Sequence, residues 1–187
     1  MRIIMMILIC ITLAGCTIRS APPIPPELTH TVTPTPRHAQ EEKISTFMTE
    51  MLDKEESRIN NVILASRAID NLVLQPGGEF SFNQVVGART AERGFQEATI
   101  LVGTQQSTGI GGGICQVSST LFQAALGANL EITEHHSHQK PVPYIEEGKD
   151  ATVASNADFR FRNTLEQPIR IDVTANGGAV TVDIFKV

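Results

Sequence analysis

The sequence predicts an α+β fold, a single domain of mostly antiparallel strands with two or three helices. Apolar residues recur at helical spacing over residues 56–70 and 115–126. Apolar and polar residues alternate over 168–174 and 179–186, on either side of a hairpin signal from Asn176 to Gly178. Residues 44–187 also have the mixed charge of one ordinary globular domain.

The first fifteen residues have the features of a secretory signal. Arg2 precedes an apolar run from Ile3 to Leu13, which is shorter than the about 20 residues of an ordinary membrane-spanning helix. The run ends in Leu13-Ala14-Gly15-Cys16, which resembles the lipobox of bacterial lipoproteins. We therefore expect residues 1–15 to be a lipoprotein signal peptide and Cys16 to be lipidated. An uncleaved anchor helix is the alternative.

Residues 16–43 form a second predicted region, the lipidated cysteine and a proline-rich tether. They hold six of the ten prolines and few large apolar residues, a composition typical of extended chain. The domain would then work in the cell envelope, lipid-anchored to a membrane. That membrane would be the outer membrane, facing the periplasm, in a bacterium with two membranes, and otherwise the outer face of the cell membrane.

Within residues 44–187, helices are predicted at 56–70 and at 115–126, the second ending at Gly127. Strands are predicted at 72–74 and, after the turn Pro76 to Gly78, at 80–82. The remaining predicted strands are 130–135, 151–154, 158–162, 168–174 and 179–186. Strands therefore dominate the second half of the domain.

Charge and glycine patterns argue against two classes of ligand. The net charge of −5 and the pI of about 5.5 come with no basic stripe, so nucleic acid is not an expected partner. The run Gly109 to Gly113 lacks the Lys-Ser/Thr of a P-loop and the glycine order of a dinucleotide fold. No nucleotide and no cofactor are expected.

Cys115 is the candidate nucleophile. It follows Gly111 to Gly113 and begins the second predicted helix, where exposed amides favour a thiolate. Once Cys10 leaves with the signal peptide and Cys16 carries lipid, Cys115 is the remaining thiol and has no disulfide partner. A protein that uses Cys115 in thiol redox chemistry would be expected to have a second, resolving cysteine, and none is expected in the mature chain. The alternative is a buried, inert cysteine that packs as a small apolar residue.

A cysteine nucleophile needs a base, and three histidines lie at the end of a predicted strand: His135, His136 and His138. A neutral imidazole within about 3 Å of the thiol could accept its proton while a carboxylate orients the ring. The carboxylates nearest in sequence are Glu134, Asp150 and Asp158. Two other interpretations stay open: exposed histidines at a strand end, or a zinc site with Cys115, for which further ligands are not evident.

Long motifs along the domain resemble, in order, those of the VanW family. They are Phe80-Ser81-Phe82-Asn83, Val86-Gly87-x-Arg89-Thr90, Gly94-Phe95, Gly111 through Leu121, His138, Gly148-x-Asp150-Ala151-Thr152-Val153 and Asp158-Phe159-x-Phe161-x-Asn163. The match spans about residues 45–187, so residues 44–187 are identified as a VanW-like domain.

The resemblance implies an envelope protein that acts on peptidoglycan stem peptides. Some VanW-domain proteins are understood to be L,D-transpeptidases, which form an acyl-enzyme on cysteine. On that basis Cys115 is the nucleophile, His138 the base and Asp150 the third catalytic residue; with water as acceptor the enzyme would be a carboxypeptidase. His135 stands where the family usually has an arginine. The alternative is a non-catalytic lipoprotein that binds wall peptide or a partner protein and is linked to glycopeptide resistance.

The residues assigned to substrate binding are Arg89, Gly112, Gly113, Gln116, Ser118 and Ser119. Amides around Cys115 and Gln116 would form an oxyanion hole. Arg89 could hold a stem carboxylate by its bidentate fork, or could be structural. Ser118 and Ser119 would share a helix face with Cys115 and could bind substrate, or only the backbone.

Overall fold

The regular elements follow one another as short strands with interspersed helices. A computed structural model describes residues 41–187, so the predicted signal peptide, Cys16 and most of the tether lie outside the described residues. The strands are β1 (Glu42–Glu50), β2 (Leu72–Leu74), β3 (Glu79–Ser81), β4 (Glu97–Val102), β5 (Gln105–Ile110), β6 (Glu131–Glu134), β7 (Arg160–Arg162), β8 (Ile169–Ala175) and β9 (Ala179–Lys186). The α-helices are α1 (Glu56–Ile69), α2 (Phe82–Val86) and α3 (Cys115–Gly127), with a 3₁₀ turn at Ala91–Arg93.

The clearest alternation in the sequence forms the centre of the largest sheet. This antiparallel sheet has the order β1-β9-β8-β2. The apolar positions of β8 and β9 are buried on one face because side chains alternate along a strand. Gly177, with φ of 76°, closes the hairpin between them in a conformation that favours glycine.

Helices α1 and α3 cover this sheet. Helix α1 packs against β8, and α3 packs against β1 and β9. The buried face of α3 includes Val117, Leu121, Ala124 and Ala125, which recur at helical spacing. The N-terminus of α3 therefore has a fixed position against the sheet, and Cys115 is its first residue.

A second sheet, of order β3-β7-β6, carries an aromatic cluster. Phe80, Phe82, Phe159 and Phe161 are fully buried, and the rings of Phe80 and Phe161 stack with centroids 4.8 Å apart. The third sheet is the hairpin of β4 and β5. Among residues 41–187, none of the helices has both the length and the apolar character needed to cross a membrane.

The architecture confirms the predicted α+β class with mostly antiparallel strands. Both long helices match their predicted ranges to within one residue. The strand predicted at 151–154 is wrong: its Thr152 amide donates to the carbonyl of His136 at 2.7 Å, and only Ala154 forms an isolated bridge, with Ala157. This segment bonds to a loop and not to a neighbouring strand.

Several elements are not among the predicted ones, namely β1, α2, β4 and β5. Strand β1 begins at Glu42, and its register against β9 shifts between Lys43 and Ser45. This shift interrupts the alternation of apolar and polar residues by which a strand is recognised in a sequence. Strand β5 is almost entirely exposed, so it has no apolar face to mark it. Both strands become regular through pairing with a neighbour.

Candidate active site

Three segments meet at the N-terminus of α3 and bring together the predicted catalytic residues. Nδ1 of His138 lies 2.6 Å from Oδ2 of Asp150, and the same oxygen accepts from the His138 backbone amide at 2.7 Å. Hydrogen bonding and attraction from Cys115 act on the pKa of His138, and the Cys115 thiol also donates to the Val153 carbonyl at 3.6 Å. Because Nδ1 faces the carboxylate, Nε2 is the ring nitrogen left for the thiol. Cys115, His138 and Asp150 therefore have the order of a nucleophile, a base and an orienting acid.

The surroundings of His138 favour its protonated form. Burial of the ring opposes protonation, with 10% of the side chain exposed. Hydrogen bonding and attraction to Cys115 outweigh that cost, and Asp150 adds to them, so the pKa of His138 is raised above its usual value. The ring is thus suited to accept a proton from the thiol and hold it.

Two buried serines fix the backbone beside Asp150. The Ser118 hydroxyl donates to the Ala151 carbonyl at 2.6 Å, and the Ala151 amide donates to the Ser119 hydroxyl at 2.9 Å. Both hydroxyls also donate to the carbonyl of Cys115. Neither serine lines the groove described below, so the contacts shown for Ser118 and Ser119 connect the start of α3 to the segment that carries Asp150.

His135 and His136 have different surroundings from His138. The Nε2 atom of His135 lies 2.7 Å from the carbonyl of Asp150, and its ring stacks on Phe122. His136 contacts Glu134 and is 45% exposed on the surface. Within residues 41–187 there is no cluster of three or more His, Cys, Asp or Glu side chains arranged to hold a metal ion.

The glycines before Cys115 allow close packing that a side chain would block. A Cβ atom at Gly112 would lie 2.6 Å from the carbonyl oxygen of Thr99, on the backbone of β4. Gly111 and Gly113 have φ of 87° and 103°, in the region that favours glycine. The Asn61 side chain donates to the carbonyl of Gly112 at 3.0 Å. The glycine run is thus held against β4 and α1, which fixes the position of Cys115.

One of the two amides expected to form an oxyanion hole is already engaged. The Gln116 amide donates to the Gly113 carbonyl at 3.0 Å. Within residues 41–187 the Cys115 amide donates to no backbone carbonyl, so of the two amides it is the one available to a ligand. The Gln116 side chain is buried and donates to the Glu50 carbonyl at 2.9 Å, which connects α3 to β1.

An open groove of about 930 Å³ passes over Cys115 and His138. Its walls come from β4, from the glycine run and from two loops at residues 137–144 and 152–157. Its charged lining residues are Arg58, Arg89, Lys140 and Asp53. The volume is in the range of ligand-binding clefts, and the Cys115 side chain is only partly buried within it.

Arg89, predicted to bind substrate, lies on this groove. Its Nη2 atom donates to Oδ1 of Asn83 at 2.5 Å, and its guanidinium lies over the Phe82 ring. Burial lowers the pKa of Arg89 from its ordinary value, although attraction to Cys115 and Asp158 opposes the shift. Arg89 is therefore a partly desolvated cation close to the nucleophile.

Arg58 and Tyr144 are groove residues that the sequence analysis missed. Tyr144 is the one tyrosine of the chain, in a loop with no regular pattern. Burial and the neighbouring Cys115 raise the pKa of Tyr144 well above its usual value, while a hydrogen bond with Ser119 opposes the shift. Arg58 lies on α1, where charge is ordinary on an exposed face. No local signal distinguishes either residue, because both reach the groove through the tertiary fold.

Comparison with known proteins agrees with the motifs. A family model described as VanW like protein matches residues 57–185. The chain is 44% identical over 149 residues to the uncharacterized protein YoaR of Bacillus subtilis strain 168. The aligned residues are 79% of this chain and 49% of that protein. It is 28% identical over 137 residues to the vancomycin B-type resistance protein VanW of Enterococcus faecalis strain V583. Here the aligned residues are 70% of this chain and 50% of the relative. The chain spans about half the length of these relatives, and no solved structure matches it. Since the family model covers most of the chain, the chain belongs to the family of VanW-like proteins.

Proposed function

We propose that this domain is a cysteine acyltransferase that acts on peptidoglycan stem peptides, as an L,D-transpeptidase or as a carboxypeptidase. The observation that carries the proposal is the arrangement of Cys115, His138 and Asp150 beneath an open groove. The name of one relative, a vancomycin resistance protein, supports a role connected with the cell wall.

In the proposed reaction, Nε2 of His138 accepts the proton of the Cys115 thiol. The sulfur then attacks the carbonyl carbon of the stem peptide's third residue, and the carbonyl oxygen becomes an oxyanion. The free Cys115 amide lies at the start of α3, where the helix dipole favours negative charge. One such donor is worth about 3 kcal/mol in the transition state. Asp150 keeps the imidazolium oriented during this step.

Collapse of the intermediate breaks the peptide bond. The leaving amine of the terminal D-residue takes the proton from His138, and the acyl group stays on Cys115 as a thioester. An incoming amine from another stem, or a water molecule, gives its proton to His138 and attacks the thioester. An amine forms a cross-link, whereas water gives a shortened peptide, and the thiol is regenerated in both cases.

We propose further that the chain is a lipoprotein, anchored to a membrane through Cys16 and the proline-rich segment that precedes β1. The lipobox-like sequence at Leu13 to Cys16 supports this placement. Metabolic labelling with a palmitate analogue should mark the chain in cells, and a Cys16→Ala variant should lose the label. A fully labelled Cys16→Ala variant would contradict the anchor.

The full chain in detergent, supplied with a disaccharide tetrapeptide, tests the enzymatic proposal. We expect release of the terminal D-amino acid and an acyl adduct on Cys115 in intact-mass spectra. Cys115→Ala should abolish both, while His138→Gln and Asp150→Asn should each slow release by roughly 10²- to 10⁴-fold. The matched control is His136→Gln, because that exposed histidine contacts Glu134 and should leave the rate unchanged.

The same assay separates catalysis from binding alone. Equal release by wild type and Cys115→Ala would falsify the assignment of the nucleophile. Binding of the tetrapeptide with no release and no adduct would instead favour the non-catalytic lipoprotein, which uses the same groove to bind wall peptide.

A further inference from the structure

We infer that the groove selects an extended acidic peptide and reads it at two carboxylates, one bound by Arg58 and the other by Arg89. This rests on the proposed function, because it specifies the substrate of the same site. The peptide would carry a free C-terminal carboxylate and one further carboxylate in its acyl part.

The charge of the groove opposes the charge of the molecule. Three cationic side chains and one carboxylate line it, although the chain as a whole has a net charge of −5. The one carboxylate, on Asp53, already accepts from the Glu55 amide at 3.0 Å. Positive charge concentrated in a cleft of an acidic protein attracts anionic ligands.

Neither groove arginine forms an ion pair with a carboxylate within residues 41–187, although Asp158 attracts Arg89 from a longer distance. Arg58 donates to the neutral side chain of Gln116 at 3.4 Å, and Arg89 donates to the neutral side chain of Asn83. The Nε atoms of both arginines are buried and have no hydrogen-bond partner in the described chain. Partly buried cations are usually paired with anions, so these two are prepared for anions that a ligand brings.

The two arginines reach the groove from different elements. Arg58, on α1, packs against Gly113, where a Cβ atom would lie 2.7 Å from its Cγ atom. Arg89 follows α2 and packs against Gly111. A Cβ atom added at Gly111 would lie 3.1 Å from the Cβ atom of Arg89. Two separate cations beside one nucleophile match a ligand with two separate carboxylates. Each guanidinium can bind a carboxylate through two N–H groups.

The edge of β4 explains why the ligand is a peptide. Strand β4 pairs with β5 alone within the described residues. Successive residues from Thr99 to Gly103 line the groove, although alternate side chains of a strand point to opposite faces. The backbone edge of β4 therefore faces the groove and can hydrogen-bond to an extended chain, as in β-strand addition.

Binding can be measured without turnover in the full-length Cys115→Ala variant by titration calorimetry. The probe is a synthetic stem tetrapeptide with a free C-terminal carboxylate and one more carboxylate on its third residue. Two further probes have one or the other carboxylate amidated. We expect each amidation to raise the Kd at least tenfold, and added salt to weaken binding of the diacid most.

Arginine variants then assign each carboxylate. In Arg58→Gln, amidation of one carboxylate should no longer change the Kd, while amidation of the other should still raise it. In Arg89→Gln, the two carboxylates should exchange these effects. The matched control is Arg67→Gln, an exposed arginine on the same helix as Arg58, which should bind like its parent. Arg58→Lys and Arg89→Lys keep the charge and should recover part of the affinity, while thermal melting verifies that all variants fold.

Equal affinity for free and amidated peptides would overturn the inference, as would loss of sensitivity to the same carboxylate in both arginine variants. These results are distinct from failure of the proposed function. If the variants bind the free peptide selectively but wild type does not turn it over, the proposed acyltransferase activity is rejected and the recognition of two carboxylates is supported. If the rate of turnover is the same for free and amidated peptides, the acyltransferase activity is supported and the recognition of two carboxylates is rejected.

Discussion

His138 lies between a carboxylate and a thiol, and this position determines its chemistry. Asp150 binds both the ring and the backbone amide of His138, so the acid restricts the orientation of the ring as well as its charge. A base held at two points loses little further freedom in the reaction, which favours proton transfer. In the proposed reaction Cys115 is the partner that changes position, because its sulfur would leave His138 to attack the substrate.

We expect NMR titration of the full chain to give His138 a pKa above its ordinary value of 6.5. Both Asp150→Asn and Cys115→Ser should lower it, because each replaces a group that can carry negative charge with a neutral one and so removes an attraction that favours the imidazolium. His136, which is exposed, serves as the internal reference. A His138 pKa that is the same in all three proteins would contradict the electrostatic coupling.

The two serines show where reasoning from single residues ends. Helical spacing places Ser118 and Ser119 on one face with Cys115, where they could bind substrate or only the backbone. In the fold both are fully buried and bond to the backbone of Cys115 and Ala151. The helical spacing was predictable from the sequence, but the segment that packs against that face was not, because it lies about thirty residues further along the chain.

At the scale of elements, the glycine run connects Cys115 to the β4 hairpin. Gly112 lies against the backbone of β4, and the same strand borders the groove. A change in this contact would therefore move Cys115 and the groove wall together. The run acts as a packed connection between two elements.

We expect Gly112→Ala to destabilise the protein by about 1–3 kcal/mol, because the new Cβ would lie 2.6 Å from the Thr99 oxygen. Acyl transfer should fall with it. Gly77→Ala is the matched control: it has φ of 73° and no atom within 4 Å of the new Cβ, so it tests backbone strain without a clash. Its cost should be about 1 kcal/mol with the catalytic rate unchanged. Urea unfolding and the release assay measure both quantities, and equal rate losses in the two variants would contradict the coupling.

At the scale of the whole molecule, His138 links stability to pH. Its pKa is raised in the folded state above the 6.5 of the unfolded chain, so the folded protein holds the proton more tightly. The resulting stabilisation is complete below pH 6.5 and is lost as the pH rises through the folded-state pKa.

The free energy of unfolding should therefore decrease over that range more in wild type than in His138→Gln. Urea unfolding of both proteins at a series of pH values provides the comparison. A difference between the two proteins that stays constant from about pH 5.5 to 9 would show that His138 is not linked to folding.

The sequence by itself determined the α+β class, both long helices, the β8–β9 hairpin and the place of Cys115 after a glycine run at the start of a helix. These features are local, because alternation, helical spacing and a glycine run before a cysteine are all readable within one segment. Only the tertiary structure decided the partners. The proximity of His138 to Cys115, the places of Arg58 and Tyr144 in the groove, and the packing of β4 against the glycine run depend on contacts between distant segments. No periodic pattern within one segment encodes such contacts.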